Sequence, residues 1–170
     1  MSSTVPRRQH AVKAPSPPEP RTPAGDAFTA LVLQVIRLNG RFTVAGEALA
    51  RPAGQTLARW LVLEAVQERP ATVAQIARTM RLARQSVQRL ADVLVRDGFA
   101  AYEENPAHRR ARLVRLTPDG RSALYTIQAA QRSWADALGA ELGEAELRAA
   151  GVFLDRVLRA VRERPGPPPS

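Results

Sequence analysis

Glutamine and arginine side chains at helical spacing are the part of this 170-residue chain best suited to contact another molecule. Apolar residues at helical spacing predict that segment 84–97 is a helix with one buried face. The polar residues of the segment share the opposite face: Gln85, Gln88, Arg89, Asp92 and Arg96. Glutamine and arginine pair with adenine and guanine edges, and an α-helix fits the major groove. The pattern predicts a base-reading helix, with a solvent-facing polar stripe as the alternative.

A basic cluster follows this helix at the tip and on the returning strand of a predicted hairpin: His108, Arg109, Arg110 and Arg112. Segments 99–103 and 111–116 are short and strand-like, and Asn105-Pro106 between them is typical of a turn. A narrow minor groove concentrates negative potential and attracts arginine. We therefore expect the hairpin to enter a minor groove beside the helix, with a solvated turn as the alternative.

The two elements together define the candidate DNA-binding residues. These are Arg84, Gln85, Ser86, Gln88, Arg89, His108, Arg109, Arg110 and Arg112. Arg81, Arg84 and Arg115 are expected to contact phosphates, which sets the register without reading sequence.

Helix start and stop signals divide the rest of the chain. They are Thr56 before a second helix, Thr72 with Gln75 as a capping box, Gly98 as a stop, Thr117-Pro118 before a long helix, and Gly143 before the last helix. A first helix spans about 26–49, and the short helix 73–79 braces segment 84–97 as in a helix-turn-helix. The sequence thus predicts a mainly α fold with a small β-hairpin.

The charge of the chain is concentrated where these elements lie. The net charge is +9, and all of the 25 cationic residues except Lys13 are arginine. Residues 78–121 hold ten of those cations and five of the 16 acids, whereas residues 122–170 hold six of each. A basic segment beside a neutral helical one is typical of a DNA reader joined to a dimerisation element. High-GC coding, which enriches arginine, is the alternative explanation.

The sequence lacks the residues that several classes of functional site require. The chain has no cysteine, and its two histidines, His10 and His108, have no suggestive partners. No glycine-rich phosphate loop or metal-ligand spacing is present, so we expect no enzyme, no cofactor and no metal. No apolar run reaches the roughly 18 residues that span a bilayer, and no signal-peptide pattern is present. We expect a cytoplasmic protein without a membrane partner.

Residues 57–124 resemble the winged helix-turn-helix of the multiple-antibiotic-resistance regulator (MarR) family. The resemblance rests on "RWLVLEAV", "TVAQIARTMRLARQSVQRLADVLVRDGF" and "NPAHRRARLVRLTPDGR", and with the flanking helices it covers about 140 residues. It implies a homodimer joined by the first and the last two helices. It also implies recognition helices in successive major grooves, a wing arginine in the minor groove, and often a small aromatic ligand between the dimer and DNA-binding parts.

One departure from the family pattern concerns the wing. The family commonly has Asp-Pro-x-Asp-Arg-Arg, in which the acids help to fix the arginines, whereas this chain has Asn105 and His108 at the acidic positions. The arginines are retained, but the departure puts their bracing in doubt. His108 is open to two interpretations, a hydrogen bond to phosphate or a weak pH sensor.

The predicted organisation assigns each segment a role. Residues 1–25 are a disordered, proline-rich basic tail, and 165–170 are a loose C-terminus. Residues 26–55 and 117–164 form the dimerisation region, and 56–116 form the DNA-binding domain. We expect a sequence-specific homodimeric repressor of a near-palindromic duplex site, released by a small aromatic ligand. A non-specific architectural DNA-binding protein is the alternative, and a protein-interaction module is a weaker one.

Overall fold

The computed structural model describes residues 21–108 and 110–164, and the chain is mainly helical with one small sheet. The elements are α1 (Pro23–Ala50), a 3-10 turn (Arg51–Ala53), α2 (Leu57–Ala65), β1 (Ala71–Thr72), α3 (Val73–Met80), α4 (Arg84–Arg96), β2 (Ala100–Glu103), β3 (Leu113–Leu116), α5 (Pro118–Leu142) and α6 (Glu144–Glu163). This order agrees with the predicted series of four helices, a hairpin and two helices.

The described part of the chain divides into two compact units, one ending at Gly40 and the other beginning at Arg41. In the first unit, residues 23–40 are helical and expose large apolar side chains, among them Phe28, Val35 and Ile36. The second unit contains the hydrophobic core. Its largest fully buried side chains come from α2, α3, α4, β3 and α5: Val62, Leu63, Ile76, Val87, Leu94, Val114, Leu124 and Ile127.

The first helix begins earlier than the sequence analysis predicted. The tail was expected to be disordered through residue 25, but residues 23–25 already belong to α1. Pro23 opens the helix, where its missing N–H costs nothing, and Thr22 Oγ1 accepts a hydrogen bond of 3.1 Å from Gly25 N. Residues 1–20 and 165–170 lie outside the described residues, and so do the expectations made for them.

Three threonines begin helices at the predicted positions. Thr56 Oγ1 accepts from Arg59 N at 3.2 Å, and Thr72 and Gln75 form a reciprocal capping box before α3. Thr117 Oγ1 accepts from Gly120 N at 3.1 Å at the start of α5. Because these caps depend only on residues close in the sequence, the starts of these helices could be predicted accurately.

The hairpin is part of a three-stranded antiparallel sheet of order β1-β3-β2. Strands β2 and β3 pair with Tyr102 opposite Val114, and β1 pairs with β3 with Thr72 opposite Leu113. The sequence analysis predicted only β2 and β3. Two residues show no period of alternation, so β1 could not be recognised from its sequence.

The turn between α3 and α4 places a non-glycine residue in the left-handed region. Arg81 has φ 53° and ψ 40° and follows the last residue of α3. Leu82 N donates to Ala77 O at 3.0 Å and Arg81 N to Arg78 O at 3.3 Å, which is the Schellman pattern of a helix end. A side chain with a Cβ atom is strained in this conformation, and glycine is not.

Replacing Arg81 with glycine is therefore expected to stabilise the protein by about 0.5–1 kcal/mol, because it removes this strain. Arg78→Gly is the matched control, since it removes the same charge from a helical residue in the last turn of α3 and should destabilise the protein by about 1 kcal/mol. Urea unfolding of both variants measures the difference. An equal decrease in the free energy of unfolding of the two variants would show that the turn is not strained.

Candidate DNA-binding interface

Helix α4 presents two chemically distinct faces because its apolar and polar residues alternate at helical spacing. Val87, Ala91 and Leu94 are fully buried, while Leu90 and Val95 are partly buried against the same core. On the polar face, Gln85, Arg89, Asp92 and Arg96 are exposed and Gln88 is half-buried. The predicted orientation of α4 is therefore correct.

The N-terminal half of α4 carries the residues that are most available to a partner. The side chains of Arg84, Gln85, Ser86 and Arg89 are exposed and have no hydrogen bond or ion pair within residues 21–108 and 110–164. Ala83, which precedes the helix, offers no side-chain cap to the first-turn N–H groups. Exposed donors at a helix N-terminus are well suited to phosphate and base edges.

The C-terminal end of α4 is fixed within the protein instead. Arg96 Nε donates to Asp97 Oδ1 at 2.9 Å, and this hydrogen bond is the main reason that the pKa of Asp97 lies below its ordinary value. Arg59 Nη2 of α2 lies 3.0 Å from Asp97 Oδ2 without hydrogen-bond alignment, so this contact is an ion pair. The Arg59 guanidinium also lies 5.6 Å from the Phe99 ring centroid. Asp97 thus joins the C-terminal end of α4 to α2 through Arg59.

Gln88, predicted to read a base, belongs to a hydrogen-bonded triad with Asp92 and Tyr102. Gln88 Nε2 lies 2.7 Å from Tyr102 Oη and 2.9 Å from Asp92 Oδ1. The Tyr102 hydroxyl donates to Asp92 Oδ1 at 2.7 Å. Because Tyr102 lies in β2, these bonds attach the polar face of α4 to the hairpin.

Tyr102 keeps its hydroxyl proton in this triad. Burial, followed by the hydrogen bond to Asp92, raises the pKa of Tyr102 to about 12. The hydroxyl therefore remains a donor to the Asp92 carboxylate at neutral pH. The sequence analysis did not identify Tyr102, since only the pairing of β2 with β3 and the packing on α4 bring it to Gln88.

The wing, defined as residues 100–116, is ordered at its tip by the asparagine that departs from the family pattern. Asn105 Oδ1 accepts from Ala107 N at 3.0 Å, and the backbone continues with His108 N to Asn105 O at 3.1 Å. A carboxylate in that position would accept the same bond, so the asparagine preserves this turn contact. The departure from the family pattern at Asn105 therefore does not remove the hydrogen bond that forms the turn.

The basic residues of the wing fall into two groups. The Arg112 guanidinium lies 4.7 Å from the Tyr102 ring centroid and donates from Nη2 to Tyr102 O at 3.3 Å, while Arg115 pairs with Glu103 at 3.2 Å. His108 and Arg110 are exposed, and neither side chain has a partner in the described part of the chain. Arg109 lies outside the described residues.

Within residues 21–108 and 110–164, no helix combines the length and apolar character needed to cross a membrane. In the same ranges, His, Cys, Asp and Glu residues form no group of three that could hold a metal ion.

The sequence is similar to a known family and to proteins from other organisms. Residues 53–111 match the model of the MarR family. Uncharacterized proteins from Mycobacterium tuberculosis and Mycobacterium bovis are 38% identical over 141 residues, which cover 82% of this chain and 99% of each relative.

Comparison with solved structures gives the same fold. A MarR family transcription regulator has a TM-score of 0.72 at 23% identity and covers 83% of this chain and 99% of its own. A Staphylococcus aureus MarR in complex with salicylate and kanamycin has 0.72 at 12% identity, with 81% and 94% covered. A mutant Escherichia coli MarR complexed with operator DNA has 0.71 at 21% identity, with 78% and 96% covered.

Proposed function

The chain belongs to the MarR family of transcription regulators, and from this membership we propose that it is a dimeric repressor of a near-palindromic DNA site. Members of the family regulate transcription and are not enzymes. Residues 56–116 would bind DNA, and residues 26–55 and 117–164 would join two copies. Within the DNA-binding segment, α4 would read the major groove and the wing would contact the minor groove.

One observation carries this proposal: hydrogen bonds join the polar face of α4 to the wing through Tyr102. The exposed side chains of Gln85 and Arg89 on α4 and of Arg110 on the wing therefore belong to directly connected elements. A duplex contacts such a surface through base edges and phosphates together. The E. coli MarR relative, which has the same fold, is complexed with operator DNA.

The proposal of a dimer is supported by apolar surface that one chain leaves uncovered. Helix α6 contains no buried residue, even though many of its side chains are apolar. Its exposed apolar side chains, each 39% or more exposed, include Phe153, Leu154, Leu158 and Val161. Burial of such a side chain contributes about 1.5–3 kcal/mol. A second copy would cover this face by two-fold symmetry. The near-palindromic site follows from the same symmetry.

A small aromatic ligand is proposed as the effector that releases the DNA. A cavity of about 430 Å³ is lined by residues of α2 and α5: Trp60, Glu64, Gln128, Gln131, Arg132 and Ala135. Trp60 supplies an aromatic surface and Arg132 a cation. Trp60 Nε1 donates to Glu64 Oε2 at 3.0 Å, which fixes the indole. The S. aureus relative is complexed with salicylate, a ligand of this chemical class.

Selection of bound duplexes from a random DNA pool tests the proposed function. We expect enrichment of a near-palindrome whose half-site centres lie roughly 34–36 Å apart. The enriched duplex should bind about 10³-fold or more tightly than random DNA. Equal affinity for all duplexes would instead indicate the alternative, a non-specific architectural protein.

Sedimentation tests the oligomeric state separately. At micromolar concentration we expect a species of twice the chain mass, because the apolar face of α6 is exposed in one copy. A monomer at that concentration would contradict the dimer. Adding salicylate to the protein bound to its enriched duplex tests the ligand, with release expected and unchanged binding contradicting the choice of this ligand class.

A further inference from the structure

The Gln88 amide is held in one orientation by two partners. Asp92 Oδ1, 2.9 Å from Gln88 Nε2, belongs to a carboxylate that only accepts hydrogen bonds, so the amide nitrogen must face it. Tyr102 Oη lies 2.7 Å from the same nitrogen. Gln88 Oε1 has no partner among residues 21–108 and 110–164 and is the amide atom left to accept from a base amino group.

Tyr102 contacts the wing arginine as well as the reading helix. The Arg112 guanidinium lies over its ring, 4.7 Å from the centroid, and bonds to its carbonyl oxygen. The ring is therefore held on the wing side while the hydroxyl reaches α4. The Tyr102 hydroxyl can therefore influence base recognition through Gln88 alone, without Tyr102 or Asp92 contacting DNA.

We propose that Tyr102 is a positioning residue for sequence recognition: its hydroxyl fixes the Gln88 amide, so the base preference opposite Gln88 depends on the wing. This inference rests on the proposed DNA-binding function and deepens it. A free glutamine can offer its nitrogen and oxygen together to an adenine edge. A glutamine whose nitrogen is shared with Asp92 and Tyr102 makes a different contact, and loss of the hydroxyl changes that contact.

The experiment compares base preference in four variants. The duplex that wild-type protein enriches from a random pool is mutated at each base pair, and binding is measured for Tyr102→Phe, Gln88→Ala, their combination and Tyr125→Phe. Tyr102→Phe keeps the ring under Arg112 and removes only the hydroxyl. Tyr125, which is 61% exposed on α5, is the matched control because it lies outside the triad.

We expect Tyr102→Phe to change the preference at the same base pair as Gln88→Ala, by roughly five- to tenfold, the effect of about one hydrogen bond. In the Gln88→Ala background the Tyr102→Phe change should add nothing, because the group it positions is gone. Tyr125→Phe should keep the wild-type preference. Non-additivity of this kind is a readout that a general loss of stability would not produce.

Two results would overturn the inference. Wild-type preference retained by Tyr102→Phe would show that the hydroxyl does not position Gln88. Equal weakening on every duplex, with the preference preserved, would indicate a structural role only. Failure of the wild-type protein to enrich any sequence would instead overturn the proposed function itself. Should Tyr102→Phe not fold, Asp92→Ala, which removes the other partner of Gln88, enters the same comparison.

Discussion

Replacement of Gly120 with alanine is expected to lower the free energy of unfolding by about 3 kcal/mol or more, because the new methyl group has no space. Gly120 is buried in the first turn of α5, and a Cβ atom there would overlap the carbonyl oxygen of Phe99. That oxygen also accepts from Thr117 N at 3.2 Å, and Thr117 Oγ1 donates to Gly98 O at 2.6 Å. Backbone would therefore have to move at the junction of α4, β2 and α5.

Thermal unfolding at fixed protein concentration measures this effect. For a chain of this length a loss of 3 kcal/mol corresponds to a decrease of roughly 6–12 °C in Tm. Gly139→Ala is the matched control in the same helix, since a Cβ atom there meets nothing within 4 Å. Alanine at a helical position is favoured over glycine by about 0.5–1 kcal/mol, so the control should be more stable. Equal stability of the two variants would contradict the close approach.

Replacement of Arg89 with alanine is expected to weaken binding to the enriched duplex by about 1–3 kcal/mol and to relax base preference. Arg89 is exposed on the polar face of α4 and has no partner in the described part of the chain, so its guanidinium is available to a guanine edge. Affinity for random DNA should change much less. Titration of both duplexes at one salt concentration measures the ratio of the affinity for the enriched duplex to the affinity for random DNA.

Arg110→Ala distinguishes base reading from phosphate binding. Loss of a wing cation should weaken binding on both duplexes and reduce the slope of log K against log salt by about one. Arg148→Ala, which removes the same charge from α6 at a side chain that is 78% exposed, should leave both measurements unchanged. An unchanged salt slope for Arg110→Ala would show that this residue does not contact DNA, and equal losses on both duplexes for Arg89→Ala would contradict base readout.

Local signals made the helices of this chain predictable. Thr56, Thr72 and Thr117 cap helices because a side-chain oxygen within three residues satisfies an N–H group. The buried face of α4 followed from the spacing of its apolar residues, and Gly98, with φ 82°, ends that segment as expected. The assembly of these elements into a winged helix came from the resemblance to a family.

Interactions between distant segments were not predictable in the same way. Strand β1 exists only because Ala71 and Thr72 lie beside β3, and Tyr102 reaches Asp92 across ten residues of sequence. The sequence analysis therefore grouped Gln88 with the candidate DNA-binding side chains without revealing that its nitrogen is hydrogen-bonded within the protein. The roles of the nine candidate residues in DNA binding stay predictions until they are measured.

The order of the small sheet has a mechanical consequence for regulation. Strand β3 is central, with β1 on one side leading directly into α3 and β2 on the other bonded to α4 through Tyr102. Helices α3 and α4 are thus each attached to one of the two edge strands of the sheet. Bending the wing relative to α4 would break backbone ladders as well as the triad. Under the proposed function, an effector that lowers DNA affinity is therefore expected to alter the spacing between two copies of the chain and to leave the arrangement of α3, α4 and the wing unchanged.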